Sequence, residues 1–88
     1  MTPAEWLART AVRTPEAPAL LRGTDLVADY AGFAGRAAAF ARHLREDRGI
    51  RPGDRVALFM TNRVEYLVAL FGVWHTGGAV VPVNAKLH

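Results

Sequence analysis

Apolar positions along the chain recur with two different periods, and the switches between them mark out seven elements. The first runs from Pro3 to about Arg13 and opens on a helix start signal, with Thr2 as N-cap, Pro3 in the first helical position and Glu5 a turn further on. Trp6, Leu7 and Ala11 give this helix a partly apolar side. Thr14-Pro15-Glu16-Ala17-Pro18 stops it, since neither proline continues a helix comfortably. Ala19–Arg22 and Asp25–Ala28 read as short strands, and Gly23-Thr24 between them suits a two-residue hairpin turn with glycine first. From Tyr30 to about Arg48, Phe33, Ala37, Phe40 and Leu44 fall at spacings of 4, 3 and 4, which is one face of a helix capped by Asp29. Gly49-Ile50-Arg51-Pro52-Gly53-Asp54 ends it, and the Pro-Gly pair marks a turn.

Arg55–Met60 is a near-continuous apolar run, the pattern of a strand covered on both faces in a parallel sheet. After Thr61, Asn62 serves as an N-cap with Glu65 following. The next helix carries Val64, Leu67, Val68, Phe71 and Trp74 on one side and is closed by Gly77-Gly78. Ala79–Val83 is a second apolar strand, in which Pro82 withholds a ladder donor and belongs near a strand end or a sheet edge. Strand, helix and strand from Arg55 to Val83 form a βαβ unit, normally right-handed with parallel strands. The order is α-β-β-α-β-α-β and the class α/β, with a partial parallel sheet. Three helices for four strands leave both sheet edges open, so residues 1–88 read as a single, incomplete domain: the start of a larger one.

Composition narrows the chemistry. The 88 residues contain no Cys, Ser or Gln, which removes disulfides, thiolate zinc sites and the two commonest acyl-transfer nucleophiles. A chain this short buries only a little over ~60% of its unfolded surface, and without disulfides a reducing cytoplasm is its expected compartment. No basic start with an apolar run suggests a signal peptide, and the stretch from Val64 to Val83 is broken by Glu65, His75 and Gly77-Gly78, so no transmembrane segment is expected. Eleven basic residues against eight acidic give a net charge of +3, and ten of the eleven are Arg, with Lys86 the only lysine. Arg42, Arg45, Arg48, Arg51 and Arg55 are interleaved with Glu46, Asp47 and Asp54 and no aromatic alternates with them, so they read as a solvated face and not a nucleic-acid surface.

Three segments, in order, resemble the N-terminus of the adenylate-forming (AMP-binding) enzymes, the superfamily of acyl-CoA synthetases, peptide-synthetase adenylation domains and luciferases. Asp29-Tyr30-Ala31-Gly32-Phe33 is similar to the first core motif, usually Thr-Tyr-x-Glu-Leu. Gly53-Asp54-Arg55-Val56-Ala57-Leu58, with Asn62 and Glu65, resembles a Gly-Asp-x-Val-Ala strand and the Pro-Asn-x-x-Glu turn after it. Trp74-His75-Thr76-Gly77-Gly78-Ala79-Val80-Val81-Pro82-Val83-Asn84 resembles a Lys/His-Ala-Gly-Ala stretch leading to Val-Pro and Asn or Asp. The likeness covers essentially the whole chain, and the run from Val64 through Leu87 leans toward fatty acid–CoA ligases. Gly32 stands where Glu is frequent, Thr61 where Pro is usual and Gly78 where Ala is usual; these changes touch helix ends, not chemistry.

The resemblance implies a two-step ligase, in which a carboxylate attacks ATP to give an acyl-adenylate and coenzyme A then displaces AMP. The Ser/Thr/Gly-rich phosphate loop, the Mg²⁺ carboxylate, the ribose Asp and the mobile-domain Lys of such enzymes all lie downstream of residue 88. The chain is therefore expected to be the N-terminal part of such an enzyme, inactive by itself. No catalytic, cofactor-binding or metal-binding residue is expected in it, and ATP, Mg and coenzyme A are implied only for the full-length family. Its expected partner is the remainder of the ligase domain, or a second copy through open sheet edges. The alternative is a stand-alone binding or regulatory module that keeps the family's N-terminal fold. His75 reads as a helix-end residue, His43 as a polar-side residue and His88 as terminal. Trp6 and Trp74 read as packing residues, Asp54 as the organiser of a turn and Gly77-Gly78 as a helix stop, not a phosphate cradle.

Overall fold

The computed structural model describes residues 1–59 and 63–83. Helix α1 (Pro3–Arg13) starts as its cap signal requires: Thr2 is extended, and its hydroxyl accepts a hydrogen bond from the Glu5 N–H at 3.1 Å. The N–H and hydroxyl of Thr14 both donate to the Thr10 carbonyl, closing the last turn before Pro15. Leu7 and Thr10 form the buried side. Trp6 is 42% exposed. Its indole lies at the rim, edge-on to Tyr30 and tilted against Phe71.

Strands β1 (Pro18–Arg22) and β2 (Asp25–Asp29) form an antiparallel hairpin. Gly23 has a φ of 63° and Thr24 does not enter the left-handed region, the combination of a turn with glycine first. The register passes from Arg22↔Asp25 and Leu21↔Leu26 to Leu20↔Ala28 and Pro18↔Asp29, so the ladder is bulged twice. Leu20 and Ala28 thereby share the buried face, while Leu21 and Leu26 face outward, more than half exposed.

Helix α2 (Tyr30–Arg48) begins on three satisfied donors. Asp29 Oδ1 accepts from the Gly32 N–H at 2.8 Å, and the N–H groups of Tyr30 and Ala31 donate to the carbonyls of Ala17 and Pro15. It ends at Gly49, which is left-handed, with the Ile50 N–H returning to the Leu44 carbonyl. The buried face is Phe33, Ala37, Ala41 and Leu44. Phe40 was expected in this row but flanks it, half-buried. Its ring is displaced by the close approach of the neighbouring helix: a Cβ on Gly72 would stand 2.7 Å from Phe40 Cδ2 and 3.1 Å from the Ala37 carbonyl oxygen.

Strand β3 (Arg55–Leu58), helix α3 (Arg63–His75) and strand β4 (Ala79–Pro82) make the βαβ unit, with parallel pairing from Arg55↔Ala79 to Leu58↔Pro82. Pro82 occupies the last position of β4. Met60 of the expected strand, Thr61 and the expected cap Asn62 lie outside the described residues, as do Asn84, Lys86, Leu87 and His88. The buried residues of α3 are Val64, Ala69, Gly72 and Val73, not the single row read from the sequence; Leu67 is 37% exposed. The helix is apolar almost all round and packs on two sides, so one stripe could not describe it. Val64, Val68 and Phe71 join a cluster with Leu7, Leu20, Phe33 and Ala37. Ala69 and Val73 join a second with Leu44 and Leu58. Phe71 links the three helices, with ring contacts to Trp6, Phe33 and Trp74.

Among the described residues β3 is covered on one face, where the sequence pattern suggested cover on both. Val56 and Leu58 turn toward the helices, whereas Arg55 and Ala57 on β3 and Ala79 and Val81 on β4 are exposed. The described residues form two separate two-stranded sheets, β1-β2 and β3-β4.

Candidate functional site

Two of the three motif segments meet at the entrance to the parallel pair. Arg51-Pro52-Gly53-Asp54 is a tight turn in which the Asp54 N–H donates to the Arg51 carbonyl at 3.0 Å. Pro52 supplies the first central residue and Gly53, at φ 89°, the second, the pairing of a type II turn. Asp54 Oδ2 accepts from the Arg51 N–H at 2.8 Å, so this carboxylate organises the turn as the sequence suggested. The turn is then tied to the end of α3. The Gly53 N–H donates to the Gly77 carbonyl at 2.9 Å, and the Ala79 N–H to the Asp54 carbonyl at 2.7 Å. Gly77, with a φ of 82°, sits so close to Pro52 that a Cβ would lie 3.1 Å from the proline Cβ.

The donors of this junction are already engaged. The Gly77 N–H bonds the Trp74 carbonyl, and the Gly78 N–H is shared between the Val73 carbonyl and Thr76 Oγ1. Buried Thr76 in turn donates its hydroxyl to the Val73 carbonyl at 2.6 Å. The glycine pair thus terminates a helix and has no N–H left to cradle a phosphate, so these residues do not fit the triphosphate of a nucleotide. Among the described residues no group of three or more His, Cys, Asp or Glu could hold a metal ion.

The histidines do not converge. His43 Nδ1 lies 2.8 Å from Asp47 Oδ2 one helical turn away on the exposed side of α2. His75, the last residue of α3, has Arg45 Nη1 3.4 Å from its Nδ1. A guanidinium can only donate, so that ring nitrogen accepts, and the expected role of His75 at the helix end becomes a link between α3 and α2. Trp6 and Trp74 pack against Phe71, as expected of structural aromatics. The third motif segment, Asp29–Phe33, lies apart at the start of α2, where it caps the helix and buries Phe33. A groove of about 300 Å³ between α1, α2 and α3 is lined by small and apolar groups, among them Leu7, Ala8, Ala34, Ala38 and Phe71. Among the described residues His75 is the one polar side chain in its lining, fewer than the convergent set that orients a ligand.

One surface went unread in the sequence. Ala57, Phe59, Val81 and Val83 are all exposed, Phe59 to 62%. Ala57 and Val81 are register partners on β3 and β4 and share one side of the pair, while Phe59 and Val83 directly follow the two strands. The period-two signal was present, but the inward positions between them are equally apolar, so no polar residue showed which face was outermost.

The sequence matches the AMP-binding enzyme family over residues 7–88. A long-chain-fatty-acid–CoA ligase of Yersinia pestis is 38% identical over 80 residues, 91% of this chain and 14% of that protein. A feruloyl-CoA synthase of Amycolatopsis sp. is 39% identical over 82 residues, 93% of this chain and 16% of that protein. Among solved structures, a Mycobacterium tuberculosis fatty acyl CoA synthetase superposes with a TM-score of 0.88 at 33% identity, over 98% of this chain and 17% of that one. The N-terminal domain of FACL13 from Mycobacterium tuberculosis gives a TM-score of 0.90, also at 33% identity, over 99% of this chain and 22% of that one. The chain thus spans about a sixth of the length of these curated relatives.

Proposed function

Because this chain belongs to the AMP-binding enzyme family, we propose that it is the N-terminal portion of an ATP-dependent fatty acid–CoA ligase, a single incomplete domain over residues 1–88. The observation that carries this reading is the likeness to the Mycobacterium tuberculosis fatty acyl CoA synthetase along 98% of the chain. The portion contributes scaffold. Its motif residues cap helices and close turns, and catalytic, cofactor-binding and metal-binding residues are none of its own. ATP, Mg²⁺ and coenzyme A belong with the polypeptide that completes the domain, and that polypeptide is its partner. Self-association through the open strand edges is the companion expectation for the chain by itself. No described helix is long and apolar enough to cross a membrane, and a chain without cysteine needs no oxidising compartment; both support a cytoplasmic setting.

The test is ATP–pyrophosphate exchange with long-chain fatty acids. The purified 88-residue chain is expected to show none, and the product of the gene read beyond codon 88 is expected to show it. Exchange by the 88-residue chain would overturn the scaffold role, and a downstream sequence without a Ser/Thr/Gly-rich loop and Lys would overturn the ligase reading.

A further inference from the structure

Two arginines meet where the hairpin touches α3. Arg22 is the last residue of β1 and Arg63 the first of α3. Leu20 and Val64, buried in one cluster, hold these two elements together, so each arginine stands close in the chain to a buried anchor. With Leu21, Gly23 and Val64 they line an open depression of about 320 Å³. Among the described residues no carboxylate lines it. Asp25 opposes Arg22 in the hairpin register, yet the ion pair seen among the described residues is that of His43 with Asp47. Glu65 lines a different depression, with Arg36 and Phe40. Among the described residues neither guanidinium has a hydrogen-bond or ion-pair partner.

We propose that Arg22 and Arg63 form a binding site for a phosphate monoester, with the phosphate between the two guanidiniums and its carbon substituent against Leu21. The site lies apart from the ligase reaction and does not rest on that reading. Two like charges at one hollow repel each other and attract an anion set between them. A guanidinium only donates, from a planar fork. One fork already satisfies a carboxylate, whereas the tetrahedral oxygens of a phosphate accept from two forks that arrive from different elements. Gly23 leaves the approach open: a Cβ built there would meet nothing within 4 Å. Its N–H has no backbone partner among the described residues and adds a third donor. Leu21, 51% exposed, supplies the apolar flank that a bare inorganic anion would not use. The denser arginine run from Arg42 to Arg55 differs, because Glu46, Asp47 and Asp54 are interleaved with it.

The test is an NMR titration of the isotope-labelled 88-residue chain with phenyl phosphate and, separately, with inorganic phosphate, at constant ionic strength in a buffer free of other oxyanions. Phenyl phosphate is expected to shift the amides of Arg22, Gly23 and Val64 along a saturating curve, and to bind more tightly than inorganic phosphate. Arg22→Gln and Arg63→Gln should each weaken it by about fivefold. Asp25→Asn should tighten it, since it removes the nearest competing charge opposite Arg22. Arg42→Gln, which changes net charge equally at an exposed position on α2, should leave it unaltered. All four positions are exposed, and circular dichroism checks that each variant keeps the fold. Shifts that rise without saturating, or an equal loss in Arg42→Gln, mean attraction by net charge alone and overturn the proposal. Binding that survives both arginine replacements also overturns it. Inorganic phosphate bound as tightly as phenyl phosphate overturns the role of Leu21 and assigns the site to the free anion.

Discussion

Gly72 and Gly35 offer the same substitution with opposite outcomes. Both lie inside helices, so replacing either by alanine removes a backbone entropy cost of up to about 1 kcal/mol. At Gly35, exposed on α2, a Cβ meets nothing within 4 Å, and Gly35→Ala should realise that gain. At Gly72 the new methyl would stand 2.7 Å from Phe40 Cδ2 and 3.1 Å from the Ala37 carbonyl oxygen. Carbon–carbon contacts are optimal near ~3.5–4.0 Å, so the first is short by about 1 Å. The half-buried Phe40 ring can yield part of that distance, but the Ala37 carbonyl belongs to the α2 backbone and cannot. Overpacking of this kind costs about 1–3 kcal/mol; taking a middle value of about 2 and subtracting the helix gain leaves Gly72→Ala destabilised by about 1 kcal/mol. In a domain of this size that lowers the thermal midpoint by about 4–8 °C, while Gly35→Ala raises it by a similar amount. Thermal unfolding followed by circular dichroism reads both. A Gly72→Ala midpoint that rises like that of Gly35→Ala would refute the close approach of α2 and α3.

Other substitutions test the local devices. Asp29→Ala removes the acceptor of the Gly32 N–H and should cost about 1 kcal/mol, most of it restored by Asp29→Asn; urea unfolding of the three proteins decides it. Gly77→Ala combines a left-handed backbone with the 3.1 Å approach to Pro52 and should lower stability by about 2 kcal/mol, with the βαβ unit affected first. Amide exchange at Gly53 and Ala79 reports it, and unchanged protection there would contradict the role of Gly77 as the clasp of the junction.

The order of elements was legible because each boundary carries its own chemistry: the Thr2 and Asp29 caps, the Gly23 turn and the Pro52-Gly53 turn all act locally. What escaped was set by neighbours far along the chain. The face of α3 could not be read because Val64, Phe71, Ala69 and Val73 are all apolar and two different clusters claim them. Phe40 and Ala41 exchanged places in the buried row of α2 because of a glycine 32 positions beyond Phe40, whose effect no periodicity in α2 contains. The hairpin bulges follow from which leucine the core can accept, and the bare outer face of β3–β4 from what does not cover it. For the candidate site, the motif segments pointed to the family correctly, and the N–H groups of Gly53, Gly77, Gly78 and Ala79 are engaged within the junction itself.

The junction of Gly53, Asp54, Gly77 and Ala79 also guards against error. With period-two strands, a slip of one residue would carry Val56 and Leu58 to the outside and bring Arg55 and Ala57 in. Apart from Arg55, whose charge resists burial, strands this short and this apolar have little in their own side chains to penalise such a slip, since alanine and valine fit either side. A further penalty comes from the two bonds where the strands begin, Gly53 to Gly77 and Ala79 to Asp54, which pair one position with one partner at the entrance to the ladder. The sheet is thus indexed from its entrance, and its apolar strands are left free to be interchangeable.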